Sequence, residues 1–166
     1  MAAKVAIIGG GAAGFFAAAN LIKERTTLDI TLYEASKKMM SKVLISGGGR
    51  CNVTNSLSHP SELAAQYPRG QAFLEPLFER FTTTDTRQWF EERNVPLKEE
   101  DDGRVFPVSD SSESIYNCLY RAATSHGVSV ERESRLRSLE RKGNLWHLKF
   151  NSKEETADYV VLATGS

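Results

Sequence analysis

The sequence is poor in the residues that build covalent and metal frameworks. It has two cysteines, Cys51 and Cys118, three histidines and no Cys-x-x-Cys pair. Two thiols make neither a disulfide scaffold nor a structural zinc site, so no bound metal is expected. So few thiols suit a reducing compartment, and the expected location is cytoplasmic. The histidines do not gather into a site. His59 precedes a proline in a loop, His126 falls at a helix end where a cation suits the dipole, and His147 lies on the open face of a hairpin. An excess of one charge is also missing: Lys+Arg and Asp+Glu both number 21. No basic face is offered to nucleic acid and no polybasic patch to a membrane, so neither is an expected partner. The length fits one domain or part of a larger one, and oligomeric state is left open.

A long uninterrupted apolar run is lacking too. "VAIIGGGAAGFFAAANLI", residues 5–22, comes nearest, but Gly9, Gly10, Gly11 and Gly14 break it where a spanning helix has to be continuous. Only Lys4 precedes it as a charge, too little for a leader peptide.

The same stretch reads well as a soluble unit. "KVAIIG" is a β-rich run suited to burial on both faces, "AAGFFAAANLIKER" is a helix, and "LDITLYE" returns as a second strand ending at Glu34. The turn between the first strand and the helix is Gly9-x-Gly11-x-x-Gly14. Gly9 permits a tight turn, Gly11 lets a pyrophosphate approach the backbone, and Gly14 permits close helix–strand packing. The helix start, through Ala12 and Ala13, points free N–H groups at an anion. Glu34 and the adjoining Ala35 close the second strand, where a carboxylate accepts hydrogen bonds from ribose hydroxyls and repels a 2′-phosphate.

Residues 35–58 follow as a long polar loop containing "SGGGRCNVTN". Lys37, Lys38, Lys42 and Arg50 lie in it with no acid between Ser36 and Cys51. Two readings stand: a solvated loop, or an anion site. Arg50 would lower the pKa of its neighbour Cys51, although no second thiol for redox chemistry stands near. Further on, "SELAAQY", "AFLEPLFERF" and "TDTRQWFEERN" read as helices, the last capped by Asp85 with Trp89 and Phe90 turned inward. "VPLKEEDDGRVFPV" is a hairpin turning at Asp102-Gly103, with Glu99 to Asp102 as a solvated turn. A helix stopping at Gly127, a strand "VSVERE", a hairpin turning at Gly143-Asn144, and a buried strand "DYVVLATGS" complete the chain. Thr164 and Gly165 are expected beside the first glycine turn, at the carboxyl ends of the strands.

"VAIIGGGAAG", "LYE", "KVLISGGGRCNVTN", "GRVFPVSDSSESI" and "YVVLATGS" occur in the order seen in the BaiN/YhiN-like family of NAD(P)/FAD-dependent oxidoreductases, which the chain resembles from Lys4 to Ser166. The resemblance implies an α/β Rossmann-like FAD/NAD(P)-binding fold: a parallel sheet with helices and an inserted β-hairpin or meander. It matches the N-terminal part only, without the inserted domain and C-terminal segment of family members. By resemblance, Gly9, Gly11 and Gly14 hold the FAD pyrophosphate and Glu34 the ribose. Ser46, Gly47, Gly48, Gly49, Arg50, Cys51 and Asn52 run along the flavin and its phosphates. There Arg50 supplies charge and Asn52 amide hydrogen bonds. The strand end near Leu136 meets the adenine, and Ala163, Thr164 and Gly165 form the second dinucleotide contact. Many members carry Gly-Arg-Lys where this chain has Ser41-Lys42-Val43, so the cation at Lys42 is kept and the one at Val43 is lost.

The expected activity is that of a flavin oxidoreductase, with hydride passing between a small organic substrate and NAD(P)H or oxygen. No side chain stands out as its acid or base. The alternatives are the NAD-binding domain of a dehydrogenase, which has no use for the "SGGGRCNVTN" loop, and a non-catalytic dinucleotide-binding fragment.

Overall fold

The computed structural model describes residues 2–21 and 28–165. The chain divides into two units, Met1–Val43 with Leu119–Ser166, and Leu44–Cys118.

The first unit is built on β1 (Ala3–Ile8), α1 (Ala12–Asn20) and β2 (Leu28–Tyr33). Val5, Ala6, Ile7 and Ile8 are all buried, which a strand covered on both faces requires. Strand β1 pairs in parallel with β2 on one side and with β10 (Tyr159–Leu162) on the other. Beyond β2 lies β6 (Ser129–Glu131), also parallel, giving the order β10-β1-β2-β6. The order reverses at β1, so a crevice is expected at its carboxyl end. The expected helix extends past Asn20, but Ile22–Arg25 lie outside the described residues.

A second, antiparallel sheet in this unit joins β7 (Leu136–Lys142), β8 (Leu145–Phe150) and β9 (Glu154–Ala157). Leu148 and Phe150 pack with Ala6, Ile8, Tyr33 and Ala157 into one apolar cluster, and Trp146 packs against it. Alternate residues of β8 thus face this core. Strand β10 departs from expectation. It is an edge strand, with Tyr159 61% and Leu162 64% exposed, because only β1 pairs with it among the described residues.

The second unit holds β3 (Thr54–Asn55), α3 (Pro60–Ala65), α4 (Gln71–Phe78), α5 (Thr83–Glu91), β4 (Leu97–Glu99) and β5 (Arg104–Pro107). Strand β5 is central in an antiparallel sheet β3-β5-β4, and Gly103 turns the hairpin at φ +78°. The helices α2 (Ser41–Ile45) and α6 (Ser112–Thr124) carry the chain from one unit to the other. Residues 35–58 are therefore not a plain loop. They contain α2, a tight turn over Ser46–Gly49 and β3.

Helix α5 is capped differently from expectation. Thr82 is the cap, and Asp85 in the first turn reaches back to accept from the Thr82 N–H (2.6 Å) and hydroxyl (2.8 Å). The Thr82 N–H, and then its hydroxyl, hold the Asp85 carboxyl below the usual range. A carboxyl whose pKa is lower in the folded state adds stability above its unfolded pKa, and that stability is lost as pH falls through the folded value. Asp85→Ala is expected to cost about 1 kcal/mol in urea unfolding at neutral pH. The difference should shrink once the pH drops below about 4.

Among the described residues, no helix is long and apolar enough to cross a membrane.

Candidate functional site: two glycine-bearing turns

The three spaced glycines of the first unit have different physical causes. Gly9 has φ +116°, and a Cβ there would strike the Ala163 carbonyl oxygen and lie 2.9 Å from Thr164 N. Gly14 is buried at the start of α1, and its Cβ would strike the Gly9 carbonyl oxygen. Both glycines are thus required by the protein's own packing. Gly11 is not. Its backbone is extended (φ −88°, ψ −173°), which any residue adopts, and a Cβ there meets nothing within 4 Å among the described residues. Gly11 is the residue preceding α1, with no side chain capping the helix and no acid in its first turn. Phe15 N–H bonds back to the Gly11 carbonyl, so the amides of Ala12, Ala13 and Gly14 precede the first intrahelical bond. Ala12 and Ala13 are exposed.

Glu34 is tied to this turn. Its Oε2 accepts from Gly10 N–H at 2.8 Å and its Oε1 from Ser36 N–H at 2.7 Å. The segment after β2 folds back as well, Met40 N–H donating to the Gly10 carbonyl at 2.8 Å. Ala163 N–H donates to the Ile8 carbonyl at 2.8 Å, which brings the end of β10 alongside the turn. Gly9, Gly11, Ala12, Ala13, Gly14, Glu34, Ala163 and Thr164 therefore gather at the carboxyl ends of β1, β2 and β10. Ala35 and Gly165 follow as exposed neighbours.

Leu136 opens β7 of the antiparallel sheet, where the expected hairpin begins, and packs on the Tyr33–Phe150 cluster. Glu34 itself is adjoined by the bend after β6. Glu34 N–H donates to Glu131 O, and Ser134 N–H to Glu34 O, both at 2.8 Å. The charged run "ERES" gave no sign of that role.

The second turn, Ser46–Asn52, lies in the other unit. Gly47, Gly48 and Gly49 have φ +56°, +68° and +88°. A Cβ on Gly47 would sit 2.8 Å from the Phe106 ring and 2.9 Å from Asn52 N, whereas Gly48 and Gly49 face open space. Lys42 is exposed on α2. Three details of this turn bear on what is expected of it. Cys51 is buried at φ +63°, and burial pushes its thiol up despite a hydrogen bond with Ser46, so the adjacent Arg50 does not activate it. The Asn52 amide, turned to satisfy both its ends, donates to the Thr54 (2.8 Å) and Val105 (3.2 Å) carbonyls, within its own unit. Arg50 is not an unpaired cation. Its Nη1 lies 2.5 Å from Glu100 Oε1 and 3.6 Å from Asp110 Oδ1, with its guanidinium 4.1 Å from the Phe106 ring centre. Glu100 is thus a partner of the glycine turn rather than a member of a solvated turn.

A parallel sheet that reverses its strand order above a glycine turn, with a carboxylate at the next strand end, defines an α/β dinucleotide-binding class of fold. Comparison with known proteins narrows this: residues 3–166 match the model of the HI0933-like protein Rossmann domain, and the chain belongs to that family. Among curated relatives, a ribosomal RNA dihydrouridine synthase of Haemophilus influenzae is 31% identical over 96% of this chain and 39% of its own length. A 3-dehydro-bile acid delta(4,6)-reductase of Clostridium scindens is 25% identical over 98% of this chain and 39% of its own. The chain therefore spans about two-fifths of the length of the curated relatives it matches. The fold is shared with the 3-ketosteroid-delta4-(5alpha)-dehydrogenase of Rhodococcus jostii, at a TM-score of 0.70 and 17% identity over 99% of this chain and 46% of that one.

Proposed function

We propose that this chain is the FAD-holding N-terminal part of an oxidoreductase that moves hydride between an organic substrate and NAD(P)H or oxygen. The observation that carries the reading is the open cradle at Gly11: neither backbone angle nor packing asks for glycine there, and a diphosphate does. The amides of Ala12, Ala13 and Gly14 would bind the diphosphate. Glu34 would hold the ribose, a carboxylate there favouring a free 2′-hydroxyl. Gly48 and Gly49 would leave room for a flat ring or phosphate against the backbone. FAD, once bound, supplies the hydride chemistry, and the residues of this chain bind and orient it.

The relatives' names support a substrate class. Making dihydrouridine and reducing a 3-dehydro delta(4,6) bile acid both saturate a carbon–carbon double bond conjugated with a carbonyl. A small molecule bearing such a bond is the first reading, because acids and bases balance at 21 each. An RNA uridine is the second, favoured by the Haemophilus relative's name.

Titration of the purified chain with FAD, followed by visible absorbance and flavin fluorescence, tests the cofactor. Saturable binding that NAD does not displace is the expected result. Folded chain that takes up NAD and no FAD would replace this reading with that of an NAD domain.

A further inference from the structure

We propose that Glu100 is a positioning residue for the glycine turn: it holds Arg50 as a strut against the β4–β5 hairpin, and so keeps the Gly48–Gly49 backbone open to its ligand. The proposal rests on reading that turn as part of the FAD site.

Three consecutive glycines have more conformational freedom to lose on folding than any other triplet, and all three here are left-handed. The turn closes its own base by Cys51 N–H to Ser46 O (3.0 Å) and a longer Arg50 N–H to Gly47 O (3.4 Å). Among the described residues, none lies near the missing Cβ atoms of Gly48 and Gly49. Their position must therefore be inherited from the residues flanking them. On one flank, Gly47 sits on the fully buried Phe106 ring. On the other, the Arg50 guanidinium lies over the same ring and bonds Glu100, fifty residues away in sequence. Phe106 thus anchors both ends of the triplet.

The ion pair extends into a chain, Lys98–Asp110–Arg50–Glu100–Arg104–Asp102, in which cations and anions alternate. Its formal charges cancel, so Arg50 has no uncompensated charge for a phosphate, and a placement role fits it better than a ligand role. Lys would not replace it, because only the planar guanidinium stacks on a ring while presenting several donors to two carboxylates.

The test uses the 166-residue chain with Glu100→Ala, the near-isosteric Glu100→Gln, and Arg50→Lys. Amide hydrogen exchange is read first, without cofactor. Glu100→Ala should speed exchange at Arg50 and Cys51 at least tenfold, with Glu100→Gln between it and the parent and β1 and β2 amides unchanged. FAD affinity should then fall about tenfold in the same order, with an altered circular dichroism of the bound flavin bands. Unchanged exchange at Arg50 and Cys51 overturns the strut, whatever FAD does. Faster exchange with unchanged FAD affinity overturns the positioning role. If the parent chain takes up no FAD, the cofactor reading fails on its own, and the exchange result still decides the strut.

Discussion

Gly14→Ala is expected to be among the most destabilising single-methyl changes in this chain. The added Cβ would strike the carbonyl oxygen of Gly9, a backbone atom that no side-chain rotation removes. Neither partner has room to move. Gly9 is pinned at φ +116° against Ala163, and its N–H bonds the Tyr33 carbonyl at 2.8 Å. Gly14 is held in α1 between its neighbours Ala13 and Phe15, the latter fully buried. Relief requires α1 to move away from β1, which opens the core around Phe15, Ala18 and Ile7. A forced shift of this kind costs roughly 3 kcal/mol or more. Against a total stability of about 5–15 kcal/mol, that is a midpoint drop on the order of 10 °C. Thermal unfolding followed by circular dichroism reads it directly. An unchanged midpoint would show that α1 does not pack on the turn as closely as the structure has it.

The parts of the fold legible in the sequence are those governed by local rules. The apolar run at Val5–Ile8, the Gly9–Gly14 turn and the apolar end of "LDITLY" need only neighbours to be read, and they specify β1, α1 and β2. The hairpin turns at Gly103 and Gly143 are of the same kind, each with a left-handed glycine between alternating strands. Strand β10 is the instructive exception. Its composition, "YVVL", says burial, yet composition cannot say how many neighbours a strand has, and among the described residues only β1 pairs with it.

The illegible parts depend on contacts far apart in the chain. Arg50 was readable as a cation beside glycines, but its partners Glu100 and Asp110 are fifty and sixty residues on. Sequence alone places Glu100 in a solvated turn, and only the β3-β5-β4 pairing brings it to Arg50. The bond from Ser134 N–H to the Glu34 carbonyl, across the bend between β6 and β7, is of the same kind: it joins residues far apart in sequence, and nothing in "ERES" announces it. The short α2 inside residues 35–58 was hidden by the glycines beside it.

Gly11 should behave in the opposite way to Gly14, and the contrast separates what the fold needs from what a ligand needs. Its backbone is unstrained for any residue, and its missing Cβ faces open space. Gly11→Val should therefore fold, at a cost within about 1 kcal/mol, since valine is a poorer helix cap than glycine. FAD binding should fail, because the branched side chain would fill the volume through which a diphosphate reaches the amides of Ala12, Ala13 and Gly14. Losing two charge-assisted hydrogen bonds amounts to roughly 3 kcal/mol, or about a hundredfold in affinity. Gly11→Asp makes the test sharper. A carboxylate at this position caps the helix and complements its dipole, so thermal stability should rise. The same carboxylate occupies and repels the diphosphate position, so FAD affinity should fall at least as far as with valine. Stability and affinity moving in opposite directions cannot be produced by a general loss of structure. If Gly11→Asp is stabilised and still binds FAD with parent affinity, the diphosphate does not lie at the start of α1, and the cofactor assignment to this turn is wrong.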